Sequence, residues 1–418
     1  MAFYRYQHFR VKPGDPAWRA VAHQAYVSRE HMYCDCTRNG ADAPMHVAQG
    51  HGTYVVKRVP LTGAHHSAAC KHYQEPDGIS GRAYSAAAVR DELRAQKTYL
   101  SVDVSLSPRA CRGFDDDSER DPAKLSLRAF AHYLFEEAGL NRWSPRIFRK
   151  RSWSVVRREL LDAAAKMIVK RRALLDVLYI PEAFDANRRG EIKQRRNKRL
   201  RTLKLPEARI LLIAEWERAE RTPLGYFVTL AHMPDLPVLI EQKLWDRVTG
   251  QSLNRSASET GQVFDSAHQL LVGTIGRTPD GGLQLHAGTL ITTTSEWLPV
   301  DHCDEHKLIT DLVARRRRFT KCLSYDLNWR QQPCASAVLN DTSPRATVIY
   351  VARTGMDPAF NKTLAALAES SGMPSIRWVA DWLESPAPAG QPLPARSDPR
   401  AYHRVSTASL PQPDFSAV

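Results

Sequence analysis

The sequence predicts an α+β multidomain protein: an N-terminal zinc β-ribbon, a basic helical middle, a β-rich section and an α/β C-terminal domain. Three observations lead there. The 418 residues exceed the size at which one hydrophobic core usually stops growing. Apolar residues alternate with a period of two in some stretches and recur at helical spacing in others, so both kinds of element are expected. The net charge is concentrated in one stretch, which sets the middle of the chain apart. With 43% hydrophobic and 25% charged residues, the composition is that of a globular chain.

The first unit is expected over residues 1–112. Aromatics and charges at Phe3, Tyr4, Arg5 and Tyr6 stand where a secretory signal requires an apolar stretch. Residues 16–31 read as a short helix leading into Cys34-Asp-Cys36. Two β-prone runs, 44–48 and 52–58, are joined by the turn-forming Gln49-Gly-His-Gly52 and read as a hairpin. Leu100, Val102, Val104 and Leu106 alternate with polar residues, the period of a strand buried on one face.

After an acidic linker at 115–122, residues 124–205 are expected to form the basic helical segment. Leu127, Phe130, Leu134 and Phe135 mark one helix, and apolar residues from Val156 to Leu178 mark a second, read as continuous over 153–178. Residues 206–300 read as mainly β, with strands at 210–214, 226–230, 269–275, 283–290 and 291–294. Residues 301–384 read as an α/β domain with helices at 305–318 and 361–371 and strands at 337–339 and 347–351. Seven prolines among residues 385–418 indicate an extended tail. The longest apolar runs fall far short of the roughly 20 residues that span a bilayer. Seven cysteines, an odd number, suit a reducing compartment better than a disulfide framework. A cytoplasmic protein with no membrane segment is the expectation.

The strongest chemical signal is Cys34, Cys36, His66 and Cys70. Two closely spaced ligand pairs on either side of a hairpin can converge on a tetrahedral ion, so structural zinc is expected, with His65 and His72 as competitors for the fourth position. Four protein ligands leave no open position for catalysis.

The second signal is electrostatic. Residues 142–204 hold 20 Lys+Arg against 6 Asp+Glu, a net +14 that equals the charge of the whole chain. Lys170, Arg171, Arg172, Arg188, Arg189, Lys193, Arg195, Arg196, Lys198, Arg199 and Arg201 are the expected contacts to DNA or RNA, because phosphate neutralisation by such side chains releases counterions. A helix-turn-helix over 125–165, with 153–165 as its recognition helix, is one way to present them. A solvated face or an acidic protein partner is the alternative.

His302, Glu305 and His306 match the His-x-x-Glu-His pattern of zinc peptidases, and the polar start of a helix explains the same residues.

Several stretches together resemble a family known as domain of unknown function 1173. They include Cys34-Asp-Cys36, residues 44–48 and 56–60, His66, Cys70, residues 178–182, Trp297-Leu-Pro-Val300, Glu305, Arg318-Phe319, Lys321 and residues 338–342. The resemblance implies a proteobacterial plasmid or integrative-element setting and no assigned activity. The C-terminal order also resembles the PD-(D/E)xK nuclease core, in which carboxylates hold magnesium and a lysine orients water. That resemblance makes Glu305 and Asp341 the candidate catalytic carboxylates. Ser336, Tyr350 and Ala352 stand where the pattern has its metal-binding Asp, second acid and lysine. The functional expectation is therefore a nucleic-acid-binding accessory protein of a mobile element with structural zinc. The alternatives are a metal-dependent nuclease and a zinc metallopeptidase.

Overall fold

The computed structural model describes residues 3–36, 43–50, 53–59, 62–67, 70, 72–92, 97–104, 106, 123–204, 208–250, 267–328, 332–342, 345–352, 358–379 and 392–396. The expected acidic linker and most of the expected tail lie outside the described residues.

The first sheet is an antiparallel five-stranded one rather than a bare ribbon. It contains Tyr4–Tyr6 (β1), Phe9–Val11 (β2), Met32–Cys34 (β3), Pro44–Gly50 (β4) and Thr53–Arg58 (β5), in the order β2-β1-β3-β4-β5. The expected hairpin is β4–β5. Helix Trp18–Ser28 (α1) packs on this sheet because Trp18, Val21, Ala22 and Ala25 share one buried face, and it ends where Arg29 turns left-handed, φ 59°.

Val89–Glu92 (β6) and Lys97–Leu100 (β7) form a second hairpin. After Leu127–Glu137 (α2), Arg142–Trp143 (β8) and Trp153–Ala164 (α3), strand Met167–Val169 (β9) runs parallel to β7, and Arg172–Ala173 (β10) completes a four-stranded sheet. The expected helix over 153–178 is instead broken into α3, β9, β10 and the short helix Leu174–Val177 (α4). It stops after Ala164, since Met167-Ile-Val169 pairs as a strand and Lys170 and Arg171 turn at φ 50° and 63° before α4. An apolar residue every third or fourth position fits this path as well as a continuous helix. The expected helix-turn-helix is absent. Residues 138–152 are too long for its turn, and Trp153, Val156, Leu160 and Ala164 of α3 are buried in the central core.

Leu178–Tyr179 (β11) leads through Arg189–Arg199 (α5) and the turn Leu200–Lys204 to the β-rich section. There, Ile210–Thr222 (β12), Gly225–Leu230 (β13), Val238–Ile240 (β14), His268–Arg277 (β15) and Leu283–Thr293 (β16) close into a barrel. The order is β12-β13-β14-β16-β15 and back to β12, with β14 and β16 parallel and the other barrel pairs antiparallel. Helix Gln242–Gly250 (α6) lies between the third and fourth strands. Alternation sorts the long strands. Ile210, Leu212, Leu271 and Leu285 fill the barrel with Val248 of α6 and with Leu200 and Leu203, whereas Leu211, Ile213, Leu270, Val272 and Ile291 face the core shared with α2 and α3. Gly225 lets the hairpin approach β14, since a Cβ there would lie 2.2 Å from the Ile240 carbonyl oxygen, and its φ is 135°.

The last sheet follows Pro299–Val300 (β17) and Cys303–Ala314 (α7). Phe319–Lys321 (β18), Ala337–Leu339 (β19) and Thr347–Ala352 (β20) form an antiparallel meander. Pro358–Ser370 (α8) then crosses to Ser375–Val379 (β21), parallel to β20. Strand β8 adds to its far edge beside β18. Hydrogen-bonded strands thus bridge the expected boundaries: β7 with β9, β8 with β18, and β11 with β12. No helix among the described residues is long and apolar enough to cross a membrane.

Candidate metal centre and the other predicted sites

Cys34 ends β3, and Cys36 follows one turn residue later. Asp35 between them is tied to the neighbouring strands by its N–H to the Phe3 carbonyl, 3.0 Å, and by Arg10 on its carboxylate, 2.6 Å. On the other side of the hairpin, the turn Gly63–His65 places His66, and Cys70 lies four residues on. Gly63 is needed there because a Cβ would sit 2.3 Å from that of Gln74. The Sγ atoms of Cys34 and Cys70 are 3.6 Å apart, Cys36 Sγ is 3.3 Å from His66 Nδ1, and Cys70 Sγ is 3.8 Å from the same nitrogen. All four ligand atoms lie within 4.8 Å of one another. Tetrahedral zinc, with bonds of about 2.3 Å to sulfur and about 2.05 Å to nitrogen, separates sulfurs by roughly 3.8 Å and sulfur from nitrogen by roughly 3.6 Å. The donor set and its spacing fit that ion.

The electrostatics agree. Ser67 and His72 each direct a backbone N–H at a sulfur, Cys36 and Cys70 respectively, at 3.4 Å. Hydrogen bonds with Cys34 and Cys36 hold the Cys70 thiol far below the usual range, and those with Cys36 and Cys70 push Cys34 far above it. Three crowded sulfurs cannot all ionise without a cation among them. Of the competitors, His65 is exposed and His72 turns its Nε2 to the Tyr4 hydroxyl at 2.8 Å. Tyr4 was not legible as part of this site, since nothing in its spacing distinguishes it from a core aromatic.

The C-terminal carboxylates are arranged otherwise. Glu305 is fully buried, with one oxygen 2.9 Å from Lys321 Nζ and the other accepting the Asp301 N–H at 2.8 Å. Asp301 in turn is paired with Arg128. Burial works against the Lys321 ammonium, but Glu305 and Asp301 outweigh it and hold its pKa above the usual value. Asp341 does not join Glu305. Its carboxylate is taken by Arg317, with contacts at 2.7 and 3.0 Å, and by the Arg318 N–H at 2.8 Å. His302 caps α7, its Nδ1 accepting the Glu305 N–H at 3.1 Å. Among the described residues, only Cys34, Cys36, His66 and Cys70 bring three or more His, Cys, Asp or Glu ligand atoms together. His302, Glu305 and His306 are not such a group.

The basic residues also divide. Arg196 is buried and forms a two-pronged pair with Asp235 at 2.7 and 2.5 Å. Arg195 grips Glu182 at 2.8 Å, Arg188 meets Glu191 at 3.4 Å, and Arg199 donates to the Leu178 carbonyl. Lys170, Arg171, Arg172, Arg189, Lys193, Lys198 and Arg201 are exposed, Lys193 with its Nζ 3.8 Å from the Asp235 carboxylate.

Fold and site together define an α+β protein with a Cys3His centre of structural-zinc geometry. Residues 4–381 match the family described as Protein of unknown function (DUF1173), and the chain belongs to that family. No curated protein and no solved structure matches it.

Proposed function

We propose that the protein binds nucleic acid, with one structural zinc ion organising its N-terminal sheet, as an accessory factor in the mobile-element setting that the family resemblance implies. The observation that carries this reading is the seat of the basic helix α5 on the barrel. Arg196 of α5 is pinned to Asp235 in the loop between β13 and β14, and Leu200 and Leu203 just after α5 enter the barrel core. Five-stranded Greek-key barrels bind oligonucleotides and oligosaccharides on the face of their second and third strands and on nearby loops. Here the second strand carries exposed Phe227 and the preceding hairpin tip carries Leu224, 70% exposed. A fold alone does not choose the ligand, but the positive charge of the adjoining segment favours the phosphate polymer. Glu305 and Asp341, each held by an internal cation, have no catalytic task in this reading.

The test measures binding of labelled single-stranded and duplex DNA and RNA over a salt series. Lys193→Gln, Lys198→Gln and Arg201→Gln together should weaken binding across sequences and flatten the slope of log K against log salt by about 0.7 to 0.9 for each phosphate left without its cation. A wild-type protein that binds none of these polymers at low salt refutes the reading. Magnesium-dependent cleavage that disappears in both Glu305→Gln and Asp341→Asn would replace it with a nuclease.

A further inference from the structure

The charge count along the sequence assigns all the net charge to residues 142–204, because elsewhere acids cancel bases. Cancellation in the sequence is not cancellation in space. The run Arg315-Arg-Arg-Arg318 at the end of α7 folds back beside residues 146–150, which reach the same sheet through β8. The fold-back is local: the Arg316 N–H bonds to the Val313 carbonyl and the Arg317 N–H to the Leu312 carbonyl, both at 2.9 Å, with Arg316 left-handed at φ 54°. Arg317 then turns inward to Asp341, and Arg316 is left exposed.

Phe148 of the second segment meets the first. The guanidinium of Arg149 is 5.2 Å from its ring centroid and that of Arg316 is 5.9 Å away. The ring is anchored from below by Trp143, 6.5 Å away and edge-on, which itself stacks on Phe319 at 5.8 Å. Arg149, at φ 55°, is held by its N–H to Glu296, 3.0 Å. Arg146 and Lys150 beside it are exposed, and Arg396 is brought in by a hydrogen bond to the Arg315 carbonyl. The result is a half-buried aromatic ring flanked by guanidinium groups whose backbones are fixed by the core.

We infer that this Phe148 surface, with Arg146, Arg149, Lys150 and Arg316, is a second docking site for the phosphate backbone of nucleic acid, separate from α5. It rests on the reading above for the identity of the polymer. Planar guanidinium groups match phosphate oxygens in pairs, and cations presented from a rigid frame lose little side-chain freedom on binding. The surface gathers its cations from two segments far apart in the chain, which favours an extended polyanion over a single small ion.

The experiment compares wild type, Arg149→Gln/Lys150→Gln/Arg316→Gln and the α5 triple variant, with circular dichroism and zinc content as checks of folding. The patch variant should bind nucleic acid about tenfold more weakly near physiological salt, with a salt slope lower by about 2 to 3. The α5 and patch effects should add. Unchanged affinity and slope in the patch variant, with loss in the α5 variant, overturns the second site and leaves the proposed function standing. Wild type that binds no nucleic acid overturns both. Selective loss of binding to phosphatidylserine vesicles, with nucleic-acid binding intact, assigns the surface to a lipid and overturns the inference.

Discussion

The Cys34/Cys36/His66/Cys70 cluster and the Glu305/Lys321/Asp301/Arg128 cluster were both visible as chemistry-bearing residues, at least in part, and the structure brings each set together. They differ in where the opposing charge comes from. In the first, the ligand atoms crowd one another and backbone N–H groups are the other donors to sulfur. An ion would complete it. In the second, each carboxylate already has a cation of the same chain, Lys321 for Glu305 and Arg128 for Asp301. Convergence of ligands therefore does not make a metal site; an unneutralised charge does.

The largest effect expected from this contrast is at the first cluster. Purified protein should carry one zinc per chain, and Cys36→Ser should lower that content and expose β3, β4 and β5 to hydrogen exchange while the barrel stays protected. Structural zinc sites hold their ion by on the order of 10 kcal/mol, so losing a ligand should unfold the N-terminal sheet locally. Reduced, chelator-free protein without zinc breaks the comparison at its first half.

Removing one partner from the second cluster should cost less but still a great deal. Lys321→Met leaves Glu305 as an uncompensated buried charge, a loss of about 3 to 5 kcal/mol in chemical denaturation. Adding Glu305→Gln should restore a good part of it, because the charge is gone. A loss below about 1 kcal/mol for Lys321→Met alone would mean that the pair is not the self-sufficient unit described.

The smallest effect is a pH slope beside the second cluster. His132 is buried, its Nδ1 accepts the Tyr325 N–H at 2.9 Å, and burial lowers its pKa from 6.5 to about 3 against the raising influence of Asp301, with Arg128 and Lys321 also lowering it. Below pH 6.5 the unfolded chain takes a proton that the folded chain refuses, so stability falls with pH until about pH 3. The loss is about 1.4 kcal/mol per pH unit at most. His132→Asn, which keeps an acceptor, should lose about 2 kcal/mol less than wild type between pH 7 and pH 5. Equal slopes in the two proteins would show that His132 does not carry this penalty.

By itself the sequence determined the convergent set Cys34, Cys36, His66 and Cys70, the β4–β5 hairpin between them, the strand-rich stretch that became the barrel and the helix beginning near Glu305. These depend on short-range pattern: ligand spacing, the period of two, and polar residues at a helix start. Tertiary structure decided the rest. The break of the expected helix at Ala164 was settled by the pairing of β9 with β7, because a β-branched apolar run satisfies its backbone equally well as strand. The fate of Asp341 was settled by Arg317, and that of Arg196 by Asp235, since any carboxylate or guanidinium reads alike until its neighbour across the fold is known. The closure of the barrel by β12 against β15, and the meeting of Arg149 with Arg316 over Phe148, join residues far apart in the chain. Periodicity and local charge counts carry no information on contacts of that range, which form only when burial of both partners offsets the entropy of closing the loop between them.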